Sequence, residues 1–390
     1  DLYSKMNFHR KVKNSLKITI QDFITFMYLI GNDFLPKTPA LKNVQKSVND
    51  MITIYRNMEV PLTDETGQIL WKNLLIFVGE MAKLEPRYFK MMSNDPVTYP
   101  YTTLDNALYS DENGQTRVDI KKFAKGWYKK CLNPLEPELM KSLGVDFSVN
   151  GEIVNGVKDS VKDSVREMCL EFFKGMQWCL RYYLKGHKTV SSRFIYIYFY
   201  APLMRDMYKT LAKMDEKDLP TISDVRYSVD DPYINPIVQL MSVLPRRSWR
   251  LIIEPYRTIM DVMLGDLYPE TVYHDYEGLE EKDKFMKVSI IPIVDPYRIV
   301  KAIENFPIPA KYREVYTQYV SVIFNPKPNY KMITTAKQVL DYYSKMEKTG
   351  EYISSEKFIE EQTKEKEEED DFFPELTFNE EIKKMYKGPK

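Results

Sequence analysis

The sequence predicts a mainly helical fold with minor β-structure, of the α+β class. Apolar residues recur at steps of three and four over residues 16–30 and 164–183, which is the period of helices that bury one face. Strand-like runs are few, and the clearest are 193–200 and 286–294. Hydrophobic residues make up 44% of the 390 residues, so the chain can bury a substantial core.

The first predicted helix covers residues 16–30, with Ile20, Phe23, Met27 and Ile30 on its apolar face and Ile24 and Phe26 widening that face. It should end at Gly31, because the prolines that follow cannot continue a helix. Shorter helices are predicted over residues 43–57, 70–83, 120–131, 233–243, 248–260 and 296–304. The turn-rich stretch 87–118 is predicted to be a long excursion, and 145–163 an insertion or mobile loop.

The best-defined predicted helix opens at Ser164, with Glu167 completing a capping box. An apolar stripe then runs from Val165 to Tyr183, which is typical of a central core helix. Residues 193–200 follow as either a short strand or a packed irregular run, and residues 286–294 as a buried strand.

Charge is unevenly distributed along the chain. The net charge is zero, but residues 360–371 contain eight acidic residues and two lysines, so the remainder carries a balance of +6. Such a balance is compatible with phosphate binding only where the cations cluster. We interpret residues 360–371 as part of a solvated tail; the alternative is that they mimic nucleic acid and occupy a basic channel. The hydrophobic run 372–378 is a candidate docking element for a protein partner.

Cysteine usage and hydropathy indicate an intracellular protein. Cys131, Cys169 and Cys179 have neither a paired framework nor a metal-binding spacing, and no apolar run is long enough to span a membrane. We therefore expect a cytoplasmic protein with no membrane partner, with the nucleus as the alternative. Because the chain begins with Asp1, we expect it to be a piece of something longer. The frequent lysine, tyrosine, isoleucine and asparagine suggest an AT-rich genome, such as a viral one.

Carboxylate and metal chemistry is what the residue pattern leaves open. No glycine-rich phosphate loop occurs, and the histidines (His9, His187 and His274) have no nucleophile at a motif spacing. The sequence GNDFLP, residues 31–36, follows the first helix and places Asp33 in a turn. By pattern alone, Asp33 is either a turn or cap residue or a ligand for a hard cation held beside a rigid element.

Several ordered blocks resemble the XRN family of 5′-3′ exoribonucleases. IQDFITFMYLIGNDFLPKTPAL (20–41) resembles the family segment that runs into GNDFLPH, and YFYAPLMRD (198–206) resembles its YHYAP element. WCLRYYLKG (178–186) and PIVQLMSVLPRRS (236–248) are similar to further blocks, and EPYRTIM (254–260), LYPE (267–270) and IIPIVDPYRIVKAI (290–303) follow in the family's order.

The resemblance implies a domain organisation. Residues 1–60 would end a nuclease domain, whose PIN/FEN-like α/β part lies upstream of this chain, and 164–305 would form the second conserved helical region. Residues 61–144 would be a helical region with long loops, and 145–163 a mobile insertion. A helical extension (306–345) and a charged tail (346–390) would complete the chain.

The resemblance also implies an activity. In the family, carboxylates bind two divalent cations, Mg²⁺ or Mn²⁺, that hydrolyse 5′-monophosphorylated single-stranded RNA, and Asp33 matches the last ligand. The other carboxylates and the 5′-phosphate pocket would come from the missing amino-terminal part, in cis or in trans. Asp22 also matches an acidic position, which we interpret as structural. The candidate substrate-binding residues, by charge and stacking capacity, are Arg193, Phe194, Tyr200, Arg246 and Arg247.

Departures from the family pattern support an alternative function. Lys37 and Phe199 stand where the family has histidines, and Ser192 and Phe194 replace tryptophans. The alternative is a catalytically silent relative that serves as an RNA-binding or scaffold protein. A related flap-type DNA nuclease is disfavoured, because residues 36–60 contain no glycine-rich turn for its DNA-binding hairpin.

Overall fold

The computed structural model describes residues 15–132, 148–149, 152–153, 161–229, 231 and 234–310. The α-helices of this part are α1 Ser15–Met27, α2 Val44–Met58, α3 Trp71–Met92, α4 Thr102–Asp105, α5 Ile120–Leu132, α6 Val161–Lys185, α7 Met204–Lys213, α8 Pro236–Val243, α9 Tyr256–Val262 and α10 Pro296–Ile303. The strands form antiparallel pairs: β1 Leu108–Ser110 with β2 Thr116–Val118, β3 Ser148–Val149 with β4 Glu152–Ile153, and β5 Tyr273–Asp275 with β6 Val288–Ile290. The predicted class, mainly α with minor β, is confirmed.

Two hydrophobic cores organise these elements. The larger core joins side chains of α1 to α7, and a smaller core joins α8, α9 and α10. Helices α3 and α7 pack along one another within the larger core. Most of the predicted insertion 145–163, nearly all of the extension 306–345 and the whole tail lie outside the described residues. In the part of the chain that the structure describes, no helix is both long and apolar enough to cross a bilayer.

Helix α1 confirms the predicted helix and, apart from Ile20, its predicted apolar face. It continues as a 3₁₀ turn, Tyr28–Ile30, before Gly31. Phe26 is fully buried, and Phe23, Ile24, Met27 and Ile30 are partly buried against the larger core. Ile20, predicted to be buried, is 50% exposed, whereas the polar Asp22 is fully buried. The reason is that the Asp22 carboxylate accepts hydrogen bonds from the Tyr55 hydroxyl, the Leu62 N–H and the Thr63 hydroxyl. A carboxylate satisfied in this way is stable inside a core.

Helix α3 is longer than the sequence predicts. The predicted helix 70–83 continues for about two and a half more turns, through Pro86 to Met92. The prediction of a turn-rich excursion is therefore wrong for residues 87–92, which are helical. Tyr88 and Phe89 are buried on the added turns, and this packing offsets the backbone hydrogen bond that Pro86 cannot donate. The remainder of the excursion contains α4 and the β1–β2 hairpin around Gly114.

A buried carboxylate of α3 holds the beginning of α7. Glu85 is 1% exposed, and its oxygens accept hydrogen bonds from the backbone N–H groups of Met204 (2.7 Å) and Arg205 (3.1 Å). Helix N-termini present unpaired N–H groups that favour a negative partner. Burial nevertheless outweighs these bonds and raises the pKa of Glu85 to about 7.

Helix α6 confirms the predicted core stripe. Its buried residues include Met168, Cys169, Phe172, Met176, Cys179 and Leu180. The predicted capping box is wrong, because α6 begins at Val161 and so Ser164 and Glu167 lie inside the helix. The segment VKDS at 161–164 contains no helix-breaking residue, which is why the helix can start earlier than the cap motif suggests.

The remaining segments are more irregular than predicted. Residues 193–200 form no strand but a half-buried irregular run, the second of the two predicted alternatives. The predicted helix 248–260 is divided into a 3₁₀ helix, Arg246–Leu251, and α9, because Pro255 lies between them. The predicted strand 286–294 is reduced to β6, and Pro292 follows it. Helix α10 confirms the predicted helix 296–304.

Candidate functional site

Residues 31–36 form a loop after α1, and the backbone conformation of Gly31 lets the chain turn at the start of this loop. We call it the Asp33 loop. Gly31 has φ 89° and ψ 159°, a backbone region that side chains rarely adopt. A Cβ added there would lie 2.8 Å from the backbone nitrogen of Lys37. The Thr38 N–H donates to the Leu29 carbonyl at 3.0 Å, so the chain returns to the end of α1 directly after the loop.

Asn32 fixes the interior of the Asp33 loop. Its Oδ1 accepts hydrogen bonds from the N–H groups of Phe34 (2.9 Å) and Leu35 (2.8 Å). Its Nδ2 donates to the Tyr183 hydroxyl at 3.4 Å and to Cys179 Sγ at 3.6 Å, both on α6. One amide side chain therefore shapes the turn and ties it to the central helix, which holds the following residue in a fixed position.

Asp33 follows Asn32 in the loop and takes no part in this hydrogen-bonded framework among the described residues. The residue is exposed, and among the described residues nothing donates a hydrogen bond to its side chain or pairs with its charge. Asp22, eleven positions earlier in the sequence, is fully buried and hydrogen-bonded. The two acidic positions of the motif therefore have different surroundings: Asp22 is built into the core, and the oxygens of Asp33 are open to a ligand.

The donor chemistry of Asp33 fits a hard divalent cation, since Mg²⁺ and Mn²⁺ prefer carboxylate oxygens. Within residues 15–310, as far as they are described, no group of three or more His, Cys, Asp or Glu side chains could hold a metal ion. Asp33 can thus supply one ligand but not a complete site. Nearby, burial and then the charge of Lys42 lower the pKa of the Lys37 ammonium.

Phe34 of the Asp33 loop belongs to a cluster of packed aromatic side chains. Phe34 meets Trp178 edge-on at a centroid distance of 4.9 Å and Tyr182 at 5.2 Å. Trp178 stacks on Tyr182 at 5.3 Å and on Phe194 at 5.5 Å. We call Phe34, Trp178, Tyr182 and Phe194 the aromatic wall. Gly175 permits this approach, because a Cβ there would lie 3.0 Å from Phe194 Cζ. The wall brings two predicted site residues, Asp33 and Phe194, into one neighbourhood.

Tyr183 is a candidate residue that the sequence reasoning missed. It is 47% exposed, its hydroxyl contacts Asn32, and its ring stacks on Tyr28 at 6.2 Å. Burial raises its pKa, as do the neighbouring Cys179 and Asp33. The available signal was the spacing within WCLRYYLKG, since Cys179 and Tyr183 are four residues apart and share a helix face.

The predicted residue Arg193 is adjacent in the chain to Phe194 of the aromatic wall and contacts α10. Its guanidinium lies 3.5 Å from the Asp231 carboxylate and 5.2 Å from the centre of the Tyr297 ring, on α10. Asp231 also accepts hydrogen bonds from the Ser191 hydroxyl and the Ser192 N–H. The side chain of Arg193 remains 51% exposed, so it is held from one side and open on the other.

The other predicted site residues lie in separate surroundings. Tyr200 is 6% exposed, donates to Asp275 and packs against Trp127 and Lys130, so its ring has no open face. Arg246 forms an ion pair with Asp261 at 2.6 Å, and Arg247 is exposed beside it. No described contact joins these arginines to the Asp33 loop.

Comparison with known proteins identifies the class to which this fold and site belong. The family described as the Xrn1 helical domain matches residues 13–120 and 154–316, more than half of the chain. The chain therefore belongs to the XRN family, whose curated members are 5′-3′ exoribonucleases.

Individual relatives agree with this assignment. The chain is 30% identical to 5′-3′ exoribonuclease 1 of Schizosaccharomyces pombe over 390 aligned residues, covering 75% of this chain and 28% of that protein. It is 24% identical to a 5′-3′ exoribonuclease 2 homolog of Drosophila melanogaster over 332 residues, covering 74% and 34%. It is 22% identical to 5′-3′ exoribonuclease 2 of Arabidopsis thaliana over 371 residues, covering 74% and 35%. The chain spans about a third of the length of these relatives.

Proposed function

We propose that this chain is the helical part of a 5′-3′ exoribonuclease that acts on 5′-monophosphorylated single-stranded RNA, and that Asp33 supplies one ligand to its divalent cations. The observation that carries the proposal is the contrast within the family motif. Asn32 and Gly31 fix the loop, while the Asp33 carboxylate stays exposed and free of protein partners among the described residues. A preorganised, unpaired carboxylate is what a metal ligand requires.

The chemistry of such a site comes from the bound cations, which lower the pKa of a water and neutralise charge on the leaving oxygen. The contribution of this chain is positional. Asn32 anchors the loop to Cys179 and Tyr183 of α6, so Asp33 stays in place as a ligand. The remaining ligands belong to the amino-terminal part of the family's catalytic core.

The aromatic wall and Tyr183 give the RNA a surface beside Asp33. In this proposal the exposed ring of Tyr183 stacks on a base, and Tyr182 of the aromatic wall packs against that ring and holds it in place relative to the loop. Arg193, half exposed and oriented by Asp231, contacts a phosphate. Arg246 and Arg247, at the start of the 3₁₀ helix Arg246–Leu251, are further phosphate contacts. Tyr200 is not used, because its ring is buried.

Replacement of Asp33 by alanine tests the proposal. In a protein that joins this chain to the amino-terminal part of the core, Asp33→Ala should lower Mg²⁺-dependent cleavage of 5′-monophosphorylated RNA by more than about 100-fold, since even outer-shell partners of metals are worth 10- to 100-fold. The control is stability: loss of an exposed, unpaired side chain should change unfolding by no more than about 0.5 kcal/mol. Unchanged cleavage in a folded variant would refute the metal-ligand assignment.

The second candidate is a catalytically silent RNA-binding or scaffold protein. It is favoured by Lys37 and Phe199, which stand where the family has histidines. RNA binding by the joined protein without any Mg²⁺-dependent cleavage, at any 5′ end, would establish this alternative.

A further inference from the structure

Cationic side chains from two helices that are distant in sequence line one groove. On α5, Lys122, Lys125 and Lys129 are spaced by three and four residues and so share a face. On α7, Arg205, Lys209 and Lys213 repeat every four residues. These two rows border a groove of roughly 1360 Å³, to which α6 adds Arg166. We call it the α5–α7 groove.

The negative charge in the groove is small and already engaged. Among the described residues that line it, Asp206 is the one carboxylate. It accepts a hydrogen bond from the Tyr128 hydroxyl at 3.0 Å and pairs with Lys209 at 3.1 Å. One carboxylate cannot balance the six lysine and arginine side chains of α5 and α7, so these described residues give the groove a positive excess.

Several of the cations are available to a ligand. Lys122, Lys125, Lys129 and Lys213 are exposed, and none of the four forms an ion pair within the part of the chain that the structure describes. Clustered like charges repel one another unless counter-ions or an anionic ligand neutralise them. A row of cations on each border of the groove suits an extended polyanion better than a single small anion.

We propose that the α5–α7 groove binds the phosphate backbone of single-stranded RNA at a site separate from the Asp33 loop. The groove shares no residue with that loop or with the aromatic wall. Among the described lining residues, the one aromatic side chain is Tyr128, which is 5% exposed, so these residues offer bases no ring to stack on and the contacts are to phosphates. Binding is therefore independent of base sequence and strongly dependent on salt. The choice of RNA as the polyanion rests on the proposed function.

The test is RNA binding by the 390-residue chain in EDTA, which separates binding from cleavage. A labelled oligouridylate of about 16 nucleotides is titrated at about 50 to 200 mM salt. The groove variant is Lys125→Gln with Lys213→Gln, one lysine from each border. The matched control is Lys287→Gln with Lys301→Gln, two lysines outside the groove that, like Lys125 and Lys213, form no ion pair among the described residues. Both variants lose the same charge.

The groove variant should weaken binding by about 25-fold at 0.1 M salt, because each phosphate contact on a single strand contributes a slope of about 0.7 and hence about fivefold per decade of salt. The slope should fall by about 1.4, and the control variant should bind as the wild type does. Equal losses in both variants, or no binding by the wild type at low salt, would overturn the assignment.

Further measurements distinguish a failure of the groove assignment from a failure of the proposed function, and test RNA as the ligand. Asp33→Ala should bind RNA normally in EDTA; if it does and cleavage is also unaffected, the proposed function fails while the groove stands. If Asp33-dependent cleavage is confirmed but the groove variant binds normally, the groove assignment fails alone. A synthetic peptide of residues 360–371 that binds the groove more tightly than oligouridylate would overturn RNA as its ligand and assign the groove to that acidic segment.

Discussion

Replacing Gly31 by alanine should distort the Asp33 loop, and the chain offers a matched control. Gly31 and Gly186 each follow a helical segment, and their backbones are nearly the same: φ 89° and ψ 159° at Gly31, φ 82° and ψ 168° at Gly186. A Cβ at Gly31 would lie 2.8 Å from Lys37 N and 3.2 Å from the Leu35 carbonyl oxygen. A Cβ at Gly186 would meet nothing within 4 Å.

The two substitutions share a conformational cost and differ in a steric one. A non-glycine residue in this backbone region costs about 1 to 3 kcal/mol, so Gly186→Ala should lower the free energy of unfolding by that amount. Gly31→Ala adds a contact with backbone atoms that cannot rotate away, and overpacking of this kind costs about 1 to 3 kcal/mol more. We therefore expect Gly31→Ala to be the more destabilising variant by roughly the second amount.

Urea denaturation of the 390-residue chain measures the difference directly. In the joined protein, Gly31→Ala should also reduce Mg²⁺-dependent cleavage, because the loop must move away from Lys37 and carries Asp33 with it. Gly186→Ala should leave cleavage close to the wild-type rate. Equal destabilisation by the two variants would refute the steric reasoning, and full activity of Gly31→Ala would refute the need for a fixed loop.

Two further predictions concern buried carboxylates. Asp22→Ala should lower the free energy of unfolding by at least about 3 kcal/mol, because Tyr55, Leu62 and Thr63 each lose a buried acceptor worth about 1 to 3 kcal/mol; a loss below about 1 kcal/mol in urea would contradict this. The pKa of Glu85 is raised to about 7 from an ordinary 4.5, so the folded chain binds this proton more tightly than the unfolded chain does. The contribution of the protonated Glu85 to stability is therefore full below pH 4.5 and is lost as pH rises through 7. Denaturation across this range should show a loss of about 3 kcal/mol that Glu85→Gln abolishes; parallel curves for the two proteins would refute the shift.

Local sequence signals predict those helices whose ends are marked by residues within the same segment. The first helix and its end were predictable because an apolar period runs into Gly31 and two prolines. The long core helix was predictable from its stripe, although not its first turn. The presence of Asp33 in a turn could also be predicted. Its exposure could not, because that depends on Asn32 reaching α6, about 150 residues later in the chain.

Features that combine distant segments could not be predicted. The period of α1 favours Ile20 as a core residue, but the partners of Asp22 come from α2 and the loop after it, and they bury Asp22 while Ile20 stays exposed. The aromatic wall joins Phe34 to Trp178 and Phe194 in the same way. The positive net charge of the residues outside the segment 360–371 does not indicate where the cations cluster, because the α5–α7 groove is formed by two helices that are more than seventy residues apart in the chain.

Asp22, Glu85 and Asp33 show how the surroundings of a carboxylate decide its chemistry. Asp22 and Glu85 are both buried, and their oxygens are used by donors that belong to the fold. A cation could bind either one only by breaking those bonds, at a cost of about 1 to 3 kcal/mol for each donor left unsatisfied. Asp33 has no such donor among the described residues, so a cation that binds it displaces water alone. Of the three carboxylates, Asp33 is therefore the one that the fold leaves free for metal chemistry, and the stability of Asp33→Ala beside that of Asp22→Ala measures the distinction.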